Sequence, residues 1–275
     1  MPRNAARPSR GGIRRLLSVA VRPVRVIVVE DNAALRLFVG AALQDLNIEL
    51  VVCAGATEAL QALASGSGAR LVLTDLVLHR ESGLALIEQL TLAPELHKVA
   101  RVAVFSASVD SLMQQRLAGL GVRHILRKPV SVGELQAFVL KALADSTPGD
   151  AHDAQIVTPE SKEGADGNAE TQVIDRFFAG DATLHAEFKA ACMVQFHDDA
   201  LNGDAACQVG DAHALRRLAH SLETVLDTLG HGAMAKLAHD LQGQAVQGDL
   251  LHARATWLSV RTGLLQLANR QNGPA

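Results

Sequence analysis

The segment VRVIVVEDN, residues 24–32, decides the fold of the first half of the chain. Its apolar residues are nearly continuous rather than alternating, which is typical of a strand buried on both faces of a parallel sheet. Glu30 and Asp31 follow directly, so we expect both acids at the carboxyl end of that strand. In an open parallel sheet this is the edge at which ligands bind.

The same pattern recurs four more times before residue 144. Short apolar stretches rich in β-branched residues predict strands, and each is followed by apolar residues at helical spacing. Five such units predict an α/β domain with a doubly wound, five-stranded parallel sheet and helices on both faces. The predicted strands are Val24–Val29, Ile48–Cys53, Leu71–Leu73, Val102–Phe105 and Val122–Leu126.

Composition divides the rest of the chain. Residues 1–23 carry six arginines and no acid, and we predict a flexible basic tail there, with an anchor for nucleic acid or anionic lipid as the alternative. The α/β domain is predicted to span residues 24–144. Residues 145–170 are rich in proline, glycine and acids, which is typical of a flexible linker.

Residues 171–270 show helical spacing throughout. Short breaks at Asn202–Gly203, Gly230–Gly232 and Gly248 separate four amphipathic segments, and short connections between comparable helices favour an antiparallel four-helix bundle. The predicted helices are Ala182–Leu201, Asp211–Leu229, Gly232–Gln247 and Asp249–Ala268.

Overall composition argues against several classes of partner. The net charge of -3 gives no general attraction to nucleic acid, so no nucleic-acid partner is predicted. No apolar run reaches the roughly 18 residues of a membrane span, so no membrane insertion is predicted. The three cysteines are isolated, without metal-ligand spacing, which indicates reduced thiols and a cytoplasmic location.

Polar residues at the predicted strand ends indicate phosphate chemistry. Glu30 and Asp31 follow the first strand and Asp75 closes the third, and three converging carboxylates need a cation such as Mg²⁺. We expect Asp31 and Asp75 to bind the metal directly and Glu30 to bind it through water. Ser106 and Lys128 close the fourth and fifth strands and supply a hydroxyl and a positive charge to a transferring phosphoryl group.

These residues occur within motifs that together resemble the response-regulator receiver domain, over about residues 24–144. The resemblance implies a flavodoxin-like fold. The motifs are VIVVEDN at 26–32, LVLTD at 71–75, Gly83, VFSA at 104–107 and GVRHILRKP at 121–129.

The resemblance implies that Asp75 accepts phosphate from a sensor histidine kinase or another phosphohistidine donor. It implies a signalling phosphoacceptor rather than an enzyme, with the backbone carbonyl of Val77 as a magnesium ligand. It also implies a cis bond between Lys128 and Pro129. Ile125 stands where the family usually has an aromatic residue that reports phosphorylation, so we expect a weaker or different output from that face.

Within the second predicted bundle helix, AHSLETVLDTLG at 219–230 resembles the histidine phosphotransfer domain. The resemblance covers about residues 171–270 and implies that an exposed imidazole accepts a phosphoryl group and passes it on. The matching residues are His220, Leu222, Leu229 and Gly230.

Two departures from that pattern leave the role of His220 open. Glu223 replaces the family's lysine, where a carboxylate would repel phosphate and raise the pKa of the imidazole. Thr224 replaces a glycine and would crowd a docking partner. Either His220 relays phosphate, with a downstream receiver or effector as partner, or the bundle is a degenerate module for docking and regulation. A phosphatase acting on a partner receiver is a third possibility.

Overall fold

The computed structural model describes residues 23–65, 68–78, 81–92, 101–107, 109–144, 155–157 and 169–270. The predicted basic tail, apart from residue 23, lies outside the described residues. Within the described ranges, no helix combines the length and the apolar character that crossing a membrane requires.

The α/β domain has the five-stranded parallel sheet that the sequence predicts. The strands lie in the order β2-β1-β3-β4-β5, so the order reverses between β1 and β3. Its elements are β1 Val24–Val29, α1 Ala33–Leu43, β2 Ile48–Cys53, α2 Ala56–Ser65, β3 Leu71–Thr74, α3 Gly83–Leu92, β4 Arg101–Ser106, α4 Ser111–Gly119, β5 His124–Arg127 and α5 Val132–Ala144. The residues of β3 and most of those of β1 and β4 are buried, which confirms burial on both faces of the central strands, whereas β2 at the edge of the sheet is mostly half-buried.

A sixth strand, β6, comes from the segment predicted to be a flexible linker. Gln155–Val157 pairs in parallel with β5, and Ile156 lies opposite Ile125. Ile and Val favour extended backbone, and the pairing satisfies the polar backbone groups on the exposed edge of β5. The prediction of a linker without secondary structure is therefore wrong for these three residues.

The second half of the described chain is helical. The four longer helices contact one another in a closed ring, α7 with α8, α8 with α9, α9 with α10, and α10 with α7. The helices are α6 Ala169–Phe178, α7 Ala182–Val209, α8 Ala212–Thr228, α9 Gly232–Gln247 and α10 Leu250–Arg270.

The helix break predicted at Asn202–Gly203 is wrong, because the 28-residue helix α7 runs through these two residues without interruption. Gly203 serves close packing instead of a turn. A Cβ atom there would lie 2.0 Å from the ring of Trp257, which is fully buried against the helix. The indole N–H of Trp257 donates a hydrogen bond of 2.9 Å to Asp204. The glycine therefore lets α10 approach α7 closely.

The two domains pack against each other through α1. Phe38 of α1 makes edge-to-face contacts with Phe178 and Phe188, at ring-centroid distances of 5.6 Å and 6.0 Å. All three rings are almost completely buried and belong to one apolar cluster that extends from the sheet into the helical domain. The interface is thus part of the hydrophobic core, which places the surface of α8 against the carboxyl edge of the sheet.

Candidate functional site

Four of the predicted site residues lie at neighbouring strand ends. Glu30 follows β1, Asp75 follows β3, Ser106 ends β4 and Lys128 follows β5. Because these strands are adjacent and parallel, their carboxyl ends meet at one edge of the sheet. All four side chains are buried.

Lys128 bridges the two buried carboxylates. Its Nζ donates to Asp75 Oδ2 at 2.6 Å and to Glu30 Oε2 at 2.5 Å. The peptide bond to Pro129 is cis, as the resemblance implies. Burial opposes charge on Lys128, but attraction to both carboxylates raises the pKa of its ammonium group, so it stays charged.

The two carboxylates respond differently to the same surroundings. Burial raises the pKa of Glu30 to about 7, and the negative charges of Asp75 and Asp31 add to this effect against the attraction of Lys128. Burial also works to raise the pKa of Asp75, but Lys128 and a backbone N–H outweigh it and lower that pKa. Of the two carboxylates, Asp75 is therefore the one whose ionised form the site favours.

Asp75 is held by its own loop and by a glycine. The N–H of Val77 donates to Asp75 Oδ1 at 3.1 Å, and the hydroxyl of Thr74 donates to the Asp75 carbonyl at 2.9 Å. A Cβ at Gly83 would lie only 1.6 Å from that carbonyl oxygen. The glycine eight residues after Asp75 is thus needed for the close approach of α3.

Ser106 and Asp31 complete the part of the site that the α/β domain contributes. The Ser106 hydroxyl is fully buried, and no described residue forms a hydrogen bond with it. The hydroxyl therefore has an unused donor and acceptor at this edge of the sheet, although Ser106 does not itself line the cavity. Asp31 is half-buried and lines the same cavity as Glu30 and Asp75.

This cavity of about 190 Å³ lies between the two domains. The sheet contributes Glu30, Asp31, Asp75, Val77 and Lys128, and α1 with its cap contributes Asn32 and Leu35. Helices α7 and α8 close the other side. Their lining residues are Gln195, Asp198, Asp199, Asn202, Arg217, Leu218, His220, Ser221 and Thr224.

His220 faces this cavity from the middle of α8. The sequence predicts an exposed imidazole, but only 3% of His220 is exposed, because the α/β domain covers it. Neither ring nitrogen has a partner with hydrogen-bond geometry among the described residues, although the Gln242 amide acts weakly on its pKa. Burial lowers that pKa, against the attraction of Asp75. The ring is therefore neutral, with a free lone pair, near pH 7.

The two departures at Glu223 and Thr224 have smaller effects than the sequence predicts. Glu223 does not line the cavity, and its carboxylate lies 3.0 Å from His239 on α9. It does raise the pKa of His220, as the sequence predicts, but burial outweighs this effect and the pKa is lowered overall. Thr224 is buried at the cavity wall, and the α/β domain nevertheless packs against this surface.

A direct hydrogen bond links the domains beside Asp31 and His220. Asn32 caps α1 by accepting from the N–H of Leu35 at 3.0 Å, and its Nδ2 donates to Ser221 Oγ at 2.9 Å. Because Ser221 follows His220 and Asn32 follows Asp31, this bond fixes the position of α8 relative to the carboxyl edge of the sheet. Sequence reasoning missed Ser221, Gln195 and Asp199, since polar residues on one helix face do not reveal which surface they meet.

Ile125, at the position usually held by an aromatic residue, is completely buried in β5. Its backbone pairs with β4 on one side and β6 on the other. A side chain without a ring and without exposure offers no group that could alternate between buried and exposed positions. The expectation of a different output from this face stays a prediction.

Comparison with known proteins agrees with the geometry of the α/β domain. Residues 26–140 match the family model described as the response regulator receiver domain. The probable chemotaxis protein CheY of Rhizobium etli is 25% identical over 123 residues, covering 45% of this chain and 94% of that protein. A crystal structure of a response regulator receiver protein from Pseudomonas putida is 36% identical and covers 45% of this chain and 99% of that chain, with a TM-score of 0.41.

A longer similarity includes the helical domain. The sensory/regulatory protein RpfC of Xanthomonas campestris pv. campestris is 28% identical over 236 residues, covering 82% of this chain but only 31% of that protein. An alignment of this length cannot fit within residues 26–140. Residues 26–140 are a response regulator receiver domain. Domains of this family are signalling phosphoacceptors and generally bind Mg²⁺.

Proposed function

We propose that this chain is a phosphorelay protein in which Asp75 and His220 exchange a phosphoryl group within one molecule. The observation that carries the proposal is that both side chains, each only 3% exposed, line the same cavity between the domains. They are close enough for the charge of each to act on the pKa of the other. A buried neutral imidazole facing a buried ionised carboxylate is suited to nucleophilic exchange.

The exchange forms one bond to phosphorus and breaks another. When Asp75 carries an acyl phosphate, the lone pair of one His220 ring nitrogen attacks phosphorus. A nitrogen–phosphorus bond forms, the bond from phosphorus to the Asp75 oxygen breaks, and the electron pair returns to the carboxylate. The proton on the other ring nitrogen stays there or leaves to water. Lys128, 2.6 Å from Asp75 Oδ2, stabilises the carboxylate that is released.

The acidic edge fits the magnesium that receiver domains use. Among the described residues, no three His, Cys, Asp or Glu side chains lie close enough to enclose a metal. Mg²⁺ needs no such cage, because it is usually held by one or two carboxylates and several waters. We assign Asp31, Asp75 and the carbonyl of Val77 to the metal, with Glu30 behind a water. Bound there, Mg²⁺ would neutralise charge on the transferring phosphoryl group.

We further propose that α7 to α10 form a four-helix bundle of the histidine phosphotransfer type. The closed ring of helix contacts, the position of His220 on α8 and the length of the similarity to RpfC all support this assignment. A sensor histidine kinase or another phosphohistidine protein would supply the phosphoryl group, and a second receiver or an effector would take it. The free cysteines fit a cytoplasmic location.

The test uses the full chain with Mg²⁺ and labelled acetyl phosphate. Acyl phosphates are lost in base whereas phosphohistidine survives, so alkaline treatment separates the two products. We expect the native chain to carry both kinds of label, Asp75→Asn to carry neither, and His220→Gln to carry only the base-labile label. Absence of a base-stable label on the native chain would refute the relay.

Mixing the two variants determines whether transfer stays within one molecule. Labelled His220→Gln chain, freed of acetyl phosphate, is added to Asp75→Asn chain at low concentration. Transfer within one molecule predicts no base-stable label on the second chain. Fast transfer between the chains would contradict the intramolecular exchange while leaving both acceptors in place.

A second candidate is a helical domain that regulates the receiver without accepting phosphate. The continuous apolar core around Phe38 favours this regulatory role. A change of structure at the carboxyl edge of the sheet would alter, through that core, how the two domains pack. This regulatory role predicts that phosphorylation of Asp75 opens the interface although His220 is never labelled. Small-angle scattering before and after phosphorylation of His220→Gln would reveal this opening.

A further inference from the structure

The cavity between Asp75 and His220 is lined by more acidic than basic side chains. Five acidic residues line it, Glu30, Asp31, Asp75, Asp198 and Asp199, against the two basic residues Lys128 and Arg217. Burial raises the pKa of Glu30 and of Asp199 to about 7, so these two are only partly charged near neutral pH. A phosphoryl group brings up to two further negative charges into this space. Its transfer from Asp75 to His220 therefore requires positive charge on both sides of its path.

On the receiver side that charge is already engaged. Lys128 is bonded to Glu30 and Asp75 and lies at the wall formed by the sheet. Once the phosphoryl group leaves Asp75, the ammonium group stays with the two carboxylates. The product on His220 therefore needs a cation from the helical domain.

Among the described residues that line the cavity, Arg217 is the cation that the helical domain supplies. It lies three residues before His220 on α8, and residues three apart occupy the same face of a helix. Its Nε is buried, and no described residue accepts a hydrogen bond from it. Arg217 as a whole is half-buried, so a guanidinium with a buried, unpaired Nε–H stands at the cavity wall, where an anion would satisfy it.

The residue three positions after His220 does not perform this function. Glu223 carries the opposite charge, does not line the cavity, and lies beside His239. The sequence therefore has its cation one turn before the histidine rather than one turn after it. This placement also explains how the surface around His220 tolerates a glutamate at position 223.

We propose that Arg217 binds the phosphoryl group during exchange and on phosphorylated His220, so that it is the phosphoryl-binding cation of the helical domain. This inference rests on the proposed relay. The planar guanidinium can donate two hydrogen bonds to two phosphoryl oxygens, a geometry that a lysine cannot reproduce.

The test compares Arg217→Ala with Arg216→Ala, an exposed arginine that neighbours it on α8 and does not line the cavity. With acetyl phosphate and Mg²⁺, we expect Arg217→Ala to label Asp75 normally but to form base-stable label about 10–100-fold more slowly. Arg217→Lys should restore part of that rate. Arg216→Ala should match the native chain, and all variants should unfold at similar urea concentrations.

A binding measurement separates this inference from the relay itself. Inorganic phosphate is titrated into each full-length chain with Mg²⁺ and followed by calorimetry, which requires no transfer. Weaker phosphate binding by Arg217→Ala, at least about fivefold, supports the inference even where no base-stable label forms. Equal phosphate binding by Arg217→Ala and Arg216→Ala overturns it. An equal loss of phosphoryl transfer in Arg217→Ala and Arg216→Ala also overturns the inference.

Discussion

Gly83→Ala is the substitution whose consequence the structure defines most sharply. The added Cβ would lie 1.6 Å from the carbonyl oxygen of Asp75, 2.7 Å from its carbonyl carbon and 3.0 Å from the Thr74 hydroxyl. Two of these three obstacles are backbone atoms, which cannot rotate away as a flexible side chain would. The start of α3 and the loop after β3 must therefore separate.

The size of the effect follows from that overlap. A comfortable contact needs about 3.4 Å, so the backbone must move by about 1.5–2 Å, and overpacking of this kind costs about 1–3 kcal/mol. We expect the upper end, because the obstacle is backbone. The same movement displaces Asp75 from Lys128, now 2.6 Å away, and a misplacement of about 1 Å can slow a reaction about 100-fold.

Gly40→Ala is the matched control. Gly40 lies inside α1, and a Cβ there would meet nothing within 4 Å. Replacing glycine by alanine within a helix stabilises it by about 0.5–1 kcal/mol. Urea unfolding and the rate of Mg²⁺-dependent labelling by acetyl phosphate are measured on both variants. If Gly83→Ala matched Gly40→Ala in both, the packing argument would be wrong.

Two further predictions follow from the interface. Burial raises the pKa of Asp199 to about 7. The protonated Asp199 side chain is tolerated in the folded state, so its contribution to stability is complete below about pH 4 and is lost as the pH rises through 7. Asn cannot ionise. Asp199→Asn should therefore reduce the loss of unfolding free energy between pH 5 and 8, by at most about 3 kcal/mol in metal-free buffer. An unchanged pH profile would contradict this. Phe38→Ala should weaken the contact with Phe178, increase the radius of gyration and speed labelling of Asp75 by acetyl phosphate. A native radius and rate would show that the aromatic contact does not hold the domains together.

The sequence was sufficient to predict the α/β domain and the acids and lysine at the carboxyl edge of its sheet. Continuous apolar strands, each followed by a helical period, determine a parallel sheet, and a parallel sheet brings Glu30, Asp75 and Lys128 to one edge. No long-range information was needed, because each acid or lysine directly follows its own strand. The roles of these residues stay predictions until labelling tests them.

The sequence was insufficient wherever a residue depends on a partner far along the chain. Gly203 resembles a helix break until Trp257 is seen to pack on it, and Ile156 resembles part of a linker until β5 presents an open edge. His220 resembles an exposed surface histidine because helical periodicity places it on a polar face. Only tertiary docking shows that the α/β domain covers that face.

Docking also sets a condition on how the signal enters. With Asp75 and His220 each 3% exposed, the histidine of a separate donor protein cannot reach Asp75 while the domains are packed. In the proposed relay, a phosphohistidine donor would therefore act on an open form, and its apparent rate would be its rate on that form multiplied by the fraction of molecules that are open. After phosphorylation, the covalent connection between the domains gives a millimolar effective concentration that favours closing again. In the proposed relay, opening admits the phosphoryl group at Asp75, and closing presents it to His220.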